Sequence, residues 1–169
     1  MSSSTAARDL LTDAFGRIGE GARNVIDGLT PTELSQRLTP KANTIAWLVW
    51  HLARVQDSHV SDAAGTDQIW TSAGWQKRFG LPFDASATGY GQSSDDVGQV
   101  NVDAELLGGY VAAVVEETLA YVERLTADDL ARVVDDSWDP PVTLGVRLMS
   151  VIGDDLKHLG QAEYIRGLI

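Results

Sequence analysis

Four long stretches of the chain repeat apolar residues at steps of three and four, the spacing that lines them up on one face of an α-helix. The first runs from about Thr5 to Gly28. Its stripe holds Leu10, Leu11, Ala14, Phe15, Ile18, Ala22, Val25 and Ile26, and closes on Leu29. The second, from about Lys41 to Ala64, carries Trp47, Leu48, His51, Leu52 and Val55 on its inner face. The third, from about Asp103 to Leu125, has Leu106, Leu107, Tyr110, Val111, Val114, Thr118, Val122 and Leu125 inside. The fourth, from about Thr143 to Leu168, buries Leu144, Leu148, Val151, Leu159, Ala162 and Ile165.

Local signals agree with these boundaries. Thr30-Pro31-Thr32-Glu33 reads as a capping box with proline at the first helical position, enough to start one short turn. Asp103 is a suitable N-cap. Thr126-Ala-Asp-Asp129 predicts another capped short helix, and Pro140-Pro141 falls just ahead of the fourth long one, where it interrupts nothing. No segment alternates with period two over a useful length, so essentially no sheet is expected. The expected fold class is all-α, a four-helix bundle.

The connection from Gly65 to Val102 is too long for a bundle hairpin. It carries Trp70, Trp75, Phe79, Phe83 and Tyr90 among Gly74, Gly80, Gly89 and Gly91. Such an aromatic segment is expected to pack on the bundle as a long crossover, letting the second and third helices run parallel. Loops of this size often shape binding sites.

Composition narrows the function. The 169 residues suit one domain, 1–169, with a sizeable core. No apolar run approaches the roughly 20 residues of a membrane span. Met1 to Arg8 lacks the basic-then-apolar layout of a signal peptide, so the chain reads as cytoplasmic. The absence of cysteine excludes disulfides, Cys-ligated zinc, iron–sulfur clusters and a cysteine nucleophile. A net charge of −11 repels phosphate backbones, and no Lys/Arg cluster offsets it, so nucleic acid is not the expected partner. There is no Gly-x-Ser-x-Gly elbow, P-loop or dinucleotide fingerprint, and Gly89-Tyr-Gly91 is too short for a phosphate cradle.

The candidate chemistry lies with the three histidines, His51, His59 and His158. At about 100° per residue, Leu144, Val151, Ala162 and Ile165 all fall within roughly 40° of His158, near the middle of the apolar stripe. Asp154 lies about 40° to one side and Asp155 about 60° to the other. His51 is equally central on the second helix. His59 lies about 80° around from it, near the helix end, as a rim residue or the lining of a pocket mouth. Buried polar groups need partners. One solution is a hydrogen-bonded Asp–His network. The other is a metal, because Asp-x-x-x-His presents two ligands on one helical face and a facing helix can supply a third.

The residues around this constellation resemble the DinB-like superfamily, also called the YfiT-like metal-dependent hydrolases. The resemblance rests on Asn43-Thr-Ile-Ala-Trp-Leu-Val-Trp-His51-Leu52 and on Asp154-Asp-Leu-Lys-His158-Leu-Gly-Gln-Ala-Glu-Tyr-Ile-Arg166. The segments Ile69–Pro82, Thr88-Gly-Tyr-Gly91 and Trp138–Val146 are similar to an actinobacterial branch that includes mycothiol S-transferases. The resemblance implies a bundle with a long crossover and one divalent metal held by His51, Asp154 and His158. The family pattern has His where this chain has Asp154, which leaves zinc, nickel, manganese or iron compatible and Asp155 as the rival ligand. It also implies a low-molecular-weight thiol such as mycothiol as co-substrate, joined to an electrophile. On this reading Trp47, Trp50 and the aromatic loop wall the electrophile; where the metal instead activates water, Asp155 or Gln161 orients the bound group or acts as base. A metal-dependent hydrolase and a non-catalytic bundle are the alternatives. A homodimer is the usual arrangement for a small enzyme, and the sequence does not decide it.

Overall fold

A computed structural model describes residues 3–169, with side chains from Thr5 onward; Met1 and Ser2, at the start of the segment read for a leader, lie outside it. In chain order the helices are α1 (Ser3–Ile26), α2 (Pro31–Leu34), α3 (Ile45–Ala64), α4 (Ile69–Ser72), α5 (Trp75–Phe79), α6 (Ser94–Gln99), α7 (Ala104–Val122), α8 (Ala127–Ala131) and α9 (Leu144–Arg166). Two short strands, β1 (Val133–Asp135) and β2 (Val142–Thr143), precede α9.

The long helices α1, α3, α7 and α9 follow the four apolar stripes, and side-chain caps set their starts. Thr44, Asp103 and Thr143 each accept a hydrogen bond from the backbone N–H three residues on, satisfying a donor that has no partner inside the helix. The predicted capping boxes at Thr30 and Thr126 both form. Gly65, at φ +70°, ends α3 in a left-handed conformation open to glycine at no steric cost. Leu10, expected inside, is 73% exposed.

The core lies where α1 packs on α7 and α9 while α3 packs on α7 and α9. Arg54 meets Tyr110, Gln56 meets Thr118 and the Ala63 carbonyl meets Tyr121 in ascending order, so α3 and α7 run parallel, as the crossover requires. His51 faces Asp154 while His59 faces Arg147, so α3 and α9 run antiparallel. No described helix is long and apolar enough to cross a membrane.

Two local features refine the expected all-α bundle. β1 and β2 pair antiparallel, with Val133 opposite Thr143, a two-stranded exception to the essentially sheet-free expectation. Strands of three and two residues cannot carry a readable alternation. The crossover also contains three short helices. Its aromatic side chains seat it, with Trp70, Trp75 and Phe79 ringing Tyr110 at centroid distances of 5.1, 5.6 and 5.7 Å.

A second anchor of the crossover is Arg54, fully buried on α3. Its Nε donates to the Ala87 carbonyl (3.1 Å), and its Nη2 to the Ala85 carbonyl (3.3 Å) and Gln68 Oε1 (2.9 Å). Its Nη1 reaches Tyr110 and Asp57 Oδ2. Asp57 in turn accepts from the backbone N–H groups of Ile69 and Trp70. One guanidinium and one carboxylate thus tie the start and the middle of the crossover to α3. Arg54→Met leaves Asp57 and two carbonyls buried without their partner. It is expected to cost about 3–5 kcal/mol in urea unfolding followed by circular dichroism.

Candidate metal centre

His51 projects from the middle of α3 and is buried. Its Nδ1 lies 2.5 Å from the Thr88 carbonyl of the crossover. A carbonyl only accepts, so Nδ1 carries the proton and Nε2 keeps its lone pair. That lone pair faces α9, where Asp154 Oδ2 lies 3.8 Å away. Asp154 Oδ1 in turn lies 3.7 Å from His158 Nε2, one helical turn along. One atom from each of His51, Asp154 and His158 falls within 4.8 Å of the others.

These separations bear on the two arrangements left open by helical phase. Direct N–H···O bonds span about 2.7–3.2 Å, so 3.7 and 3.8 Å are too long for a hydrogen-bonded Asp–His network. Asp154 Oδ2 and His158 Nδ1 are enclosed and have no hydrogen-bond partner at all. Donors held about 2.0–2.2 Å from a common ion sit at about the observed spacing from one another. The donor set, two imidazoles and a carboxylate, suits a divalent transition metal. Burial lowers the pKa of His51, which keeps its ring neutral and able to donate to a metal; the hydrogen bond to Thr88 opposes that shift.

The surroundings hold His51 in place. Trp47 stacks on its ring at 4.6 Å and 13°, and Trp47 Nε1 donates to Gln92 Oε1 (2.7 Å). Trp47 also meets His158 edge-on, so it backs both histidines. Gly89 has φ +101°, and a Cβ there would lie 2.6 Å from His51 Nδ1. The crossover therefore touches the histidine at a point only glycine fits.

A cleft of about 370 Å³ opens beside the constellation, and its lining includes His51, Asp154, His59, Arg147, Tyr90 and Trp138. His59 lies at this cleft, as the rim position suggested. Its Nδ1 accepts from Arg147 Nη1 (2.9 Å), and burial together with that cation lowers its pKa.

Other expected site residues fall elsewhere. Trp50 is 1% exposed, packed against Trp70 and Phe83, and cannot wall a ligand. Tyr90 and Trp138 stand at the cleft in its place. Gln161 is exposed outside the cleft lining. Asp155 is wholly buried, is not part of the cleft lining and has no hydrogen-bond partner on either oxygen. Burial, with Asp154 nearby, pushes its pKa well above the usual 3.8. Its folded value therefore exceeds its unfolded one. The stability tied to its proton is whole below about pH 4 and is lost as pH rises towards the raised value. Asp155→Asn is accordingly expected to match the parent near pH 4 and to exceed it in stability at pH 8, read in urea melts at the two pH values.

Sequence reasoning misses the Thr88 carbonyl, the role of Gly89 and the cation at Arg147. Glycine inside the Thr88–Gly91 segment is the one available signal, since it marks close backbone approach.

Comparison with known proteins is consistent with this geometry. A crystal structure of a conserved protein from Enterococcus faecalis superposes with a TM-score of 0.89 at 31% identity, covering 95% of each chain. No curated protein matches the chain. A family model described as mycothiol-S-transferase matches residues 10–169. The chain thus belongs to the mycothiol S-transferase family, within the DinB-like group that its histidine pattern resembles.

Proposed function

We propose that the protein is a metal-dependent thiol S-transferase that joins a low-molecular-weight thiol, mycothiol or one of its kind, to an electrophilic carbon. The observation that carries this reading is the convergence of three donor atoms, two of them on residues with orphaned buried polar atoms, at one end of an open cleft. Membership of the family supplies the thiol.

His51 Nε2, Asp154 and His158 would hold the metal, zinc being the first choice for such a set. A thiol bound at a metal held there would be more acidic than a free one, which is the chemistry the metal would supply. The chain's own contribution is orientation. Thr88 fixes the His51 tautomer, Trp47 fixes the ring plane, and burial keeps the imidazole uncharged. In the overall reaction the thiol S–H bond breaks and its proton leaves to solvent through the cleft. A C–S bond forms, and the leaving group departs with its bonding pair. The protein needs no cysteine, because the nucleophile arrives with the co-substrate.

The test is an assay of zinc-loaded protein with a chloro-dinitroarene, with and without thiol. Thiol-dependent formation of the thioether is the expected result. Loss of the arene at the same rate without thiol would contradict the transferase reading and indicate water as the nucleophile.

A further inference from the structure

Arg54 on α3 and Arg147 on α9 are employed differently. Arg54 is sealed in the core, with contacts to five acceptors. Arg147 makes two hydrogen bonds, to His59 Nδ1 (2.9 Å) and Asp135 Oδ2 (2.8 Å). A guanidinium has five N–H donors, so Arg147 keeps three in reserve. Its side chain is 19% exposed, and it is the one Lys or Arg among the described residues lining the cleft.

Its neighbours extend the same chemistry. Arg147 is only a donor, so His59 Nδ1 accepts and His59 Nε2 carries a proton. Asp135 sits on the β1–β2 hairpin with a side chain 26% exposed; its Oδ2 meets Arg147, and its Oδ1 accepts from the Ser137 N–H and hydroxyl. Trp138 and Tyr90, 66% and 94% exposed, border the same cleft. His59 is eight residues from His51 and Arg147 is seven from Asp154, which at 1.5 Å per residue places the pair about 10–12 Å from the proposed metal ligands.

The geometry points to a carboxylate-binding subsite at Arg147 and His59, set one ligand length from the three-residue centre. It rests on the thiol-transfer reading and specifies one of the two ligands: a molecule with an anionic carboxylate about 10 Å from the reacting sulfur or carbon. Arg147 supplies a planar fork for that carboxylate, with His59 Nε2–H beside it. In a chain of net charge −11, a local cation of this kind also selects the anion that is admitted.

The test uses full-length protein loaded with cobalt(II), whose sulfur-to-metal absorption band reports thiol binding. The probes are 8-mercaptooctanoate, 8-mercaptooctan-1-ol, mercaptoacetate and 2-mercaptoethanol. The octanoate is expected to bind about tenfold more tightly than its alcohol, the worth of one charge-assisted hydrogen bond. Mercaptoacetate, too short to reach, is expected to show no such gain over 2-mercaptoethanol. Arg147→Met is expected to abolish the octanoate's advantage, and Asp135→Asn, which removes the competing carboxylate, to enlarge it. Equal affinity of acid and alcohol in the parent protein overturns the subsite and leaves the metal–thiol reading standing; Arg147 then serves only to pin the hairpin to α9. Absence of the band with all four thiols overturns both.

Discussion

His51→Ala and His158→Ala proteins, purified without a histidine tag and offered zinc, are expected to retain almost none of it after dialysis, while the parent keeps close to one equivalent. Loss of a group that merely orients a ligand typically costs about 10–100-fold in metal affinity, and loss of the ligand itself costs more. Thiol conjugation should fall towards the uncatalysed rate in both variants. His51→Ala should be the more damaging, because Thr88 and Trp47 hold His51 from two sides. His158 Nδ1, by contrast, has no hydrogen-bond partner. A thermal melt gives a second readout: metal at about 100 times its dissociation constant stabilises the parent by about 2.7 kcal/mol, an increment both variants should lack. Variants that hold as much metal as the parent would remove these histidines from the site.

Gly89→Ala should have the next largest effect. Alanine at φ +101° is strained wherever it sits, and here its Cβ would also lie 2.6 Å from His51 Nδ1 and 3.1 Å from Trp47 Cζ2. The crossover must withdraw or the imidazole must turn, and either breaks the hydrogen bond to Thr88. Zinc affinity is expected to fall about 10–100-fold, with a stability loss of about 1–3 kcal/mol. Gly91→Ala is the control, since Gly91 also has positive φ, +73°, but meets nothing within 4 Å. It should show the backbone penalty and leave zinc affinity unchanged. Equal losses of affinity in the two variants would mean that contact with His51 is irrelevant.

What the sequence discloses follows from how local each feature is. Helix α9 keeps one face in water, so its phase is readable, and Asp154 and His158 could be placed facing inward before any coordinates. Helix α3 has 15 of its 20 residues buried, so a single stripe understates its interior. Arg54 and Asp57 lie outside the expected stripe because only the folded crossover covers them. The caps at Thr30, Asp103 and Thr126 were legible because each is a contact across three residues. The Thr88–His51 bond spans 37 residues and the Arg147–His59 bond 88, and neither leaves a trace in periodicity. Helical phase alone left metal and hydrogen-bonded network both open, and the separations of 3.7 and 3.8 Å that bear on the choice lie between side chains that periodicity cannot place.

The central claim is that His51, Asp154 and His158 ligate one metal between α3 and α9. An anomalous difference map at the zinc edge, from crystals of zinc-loaded protein, tests it most directly. One strong peak is predicted at about 2.0–2.2 Å from His51 Nε2, an Asp154 oxygen and a His158 ring nitrogen. A featureless map between the two helices, or a peak coordinated by other residues, would contradict it.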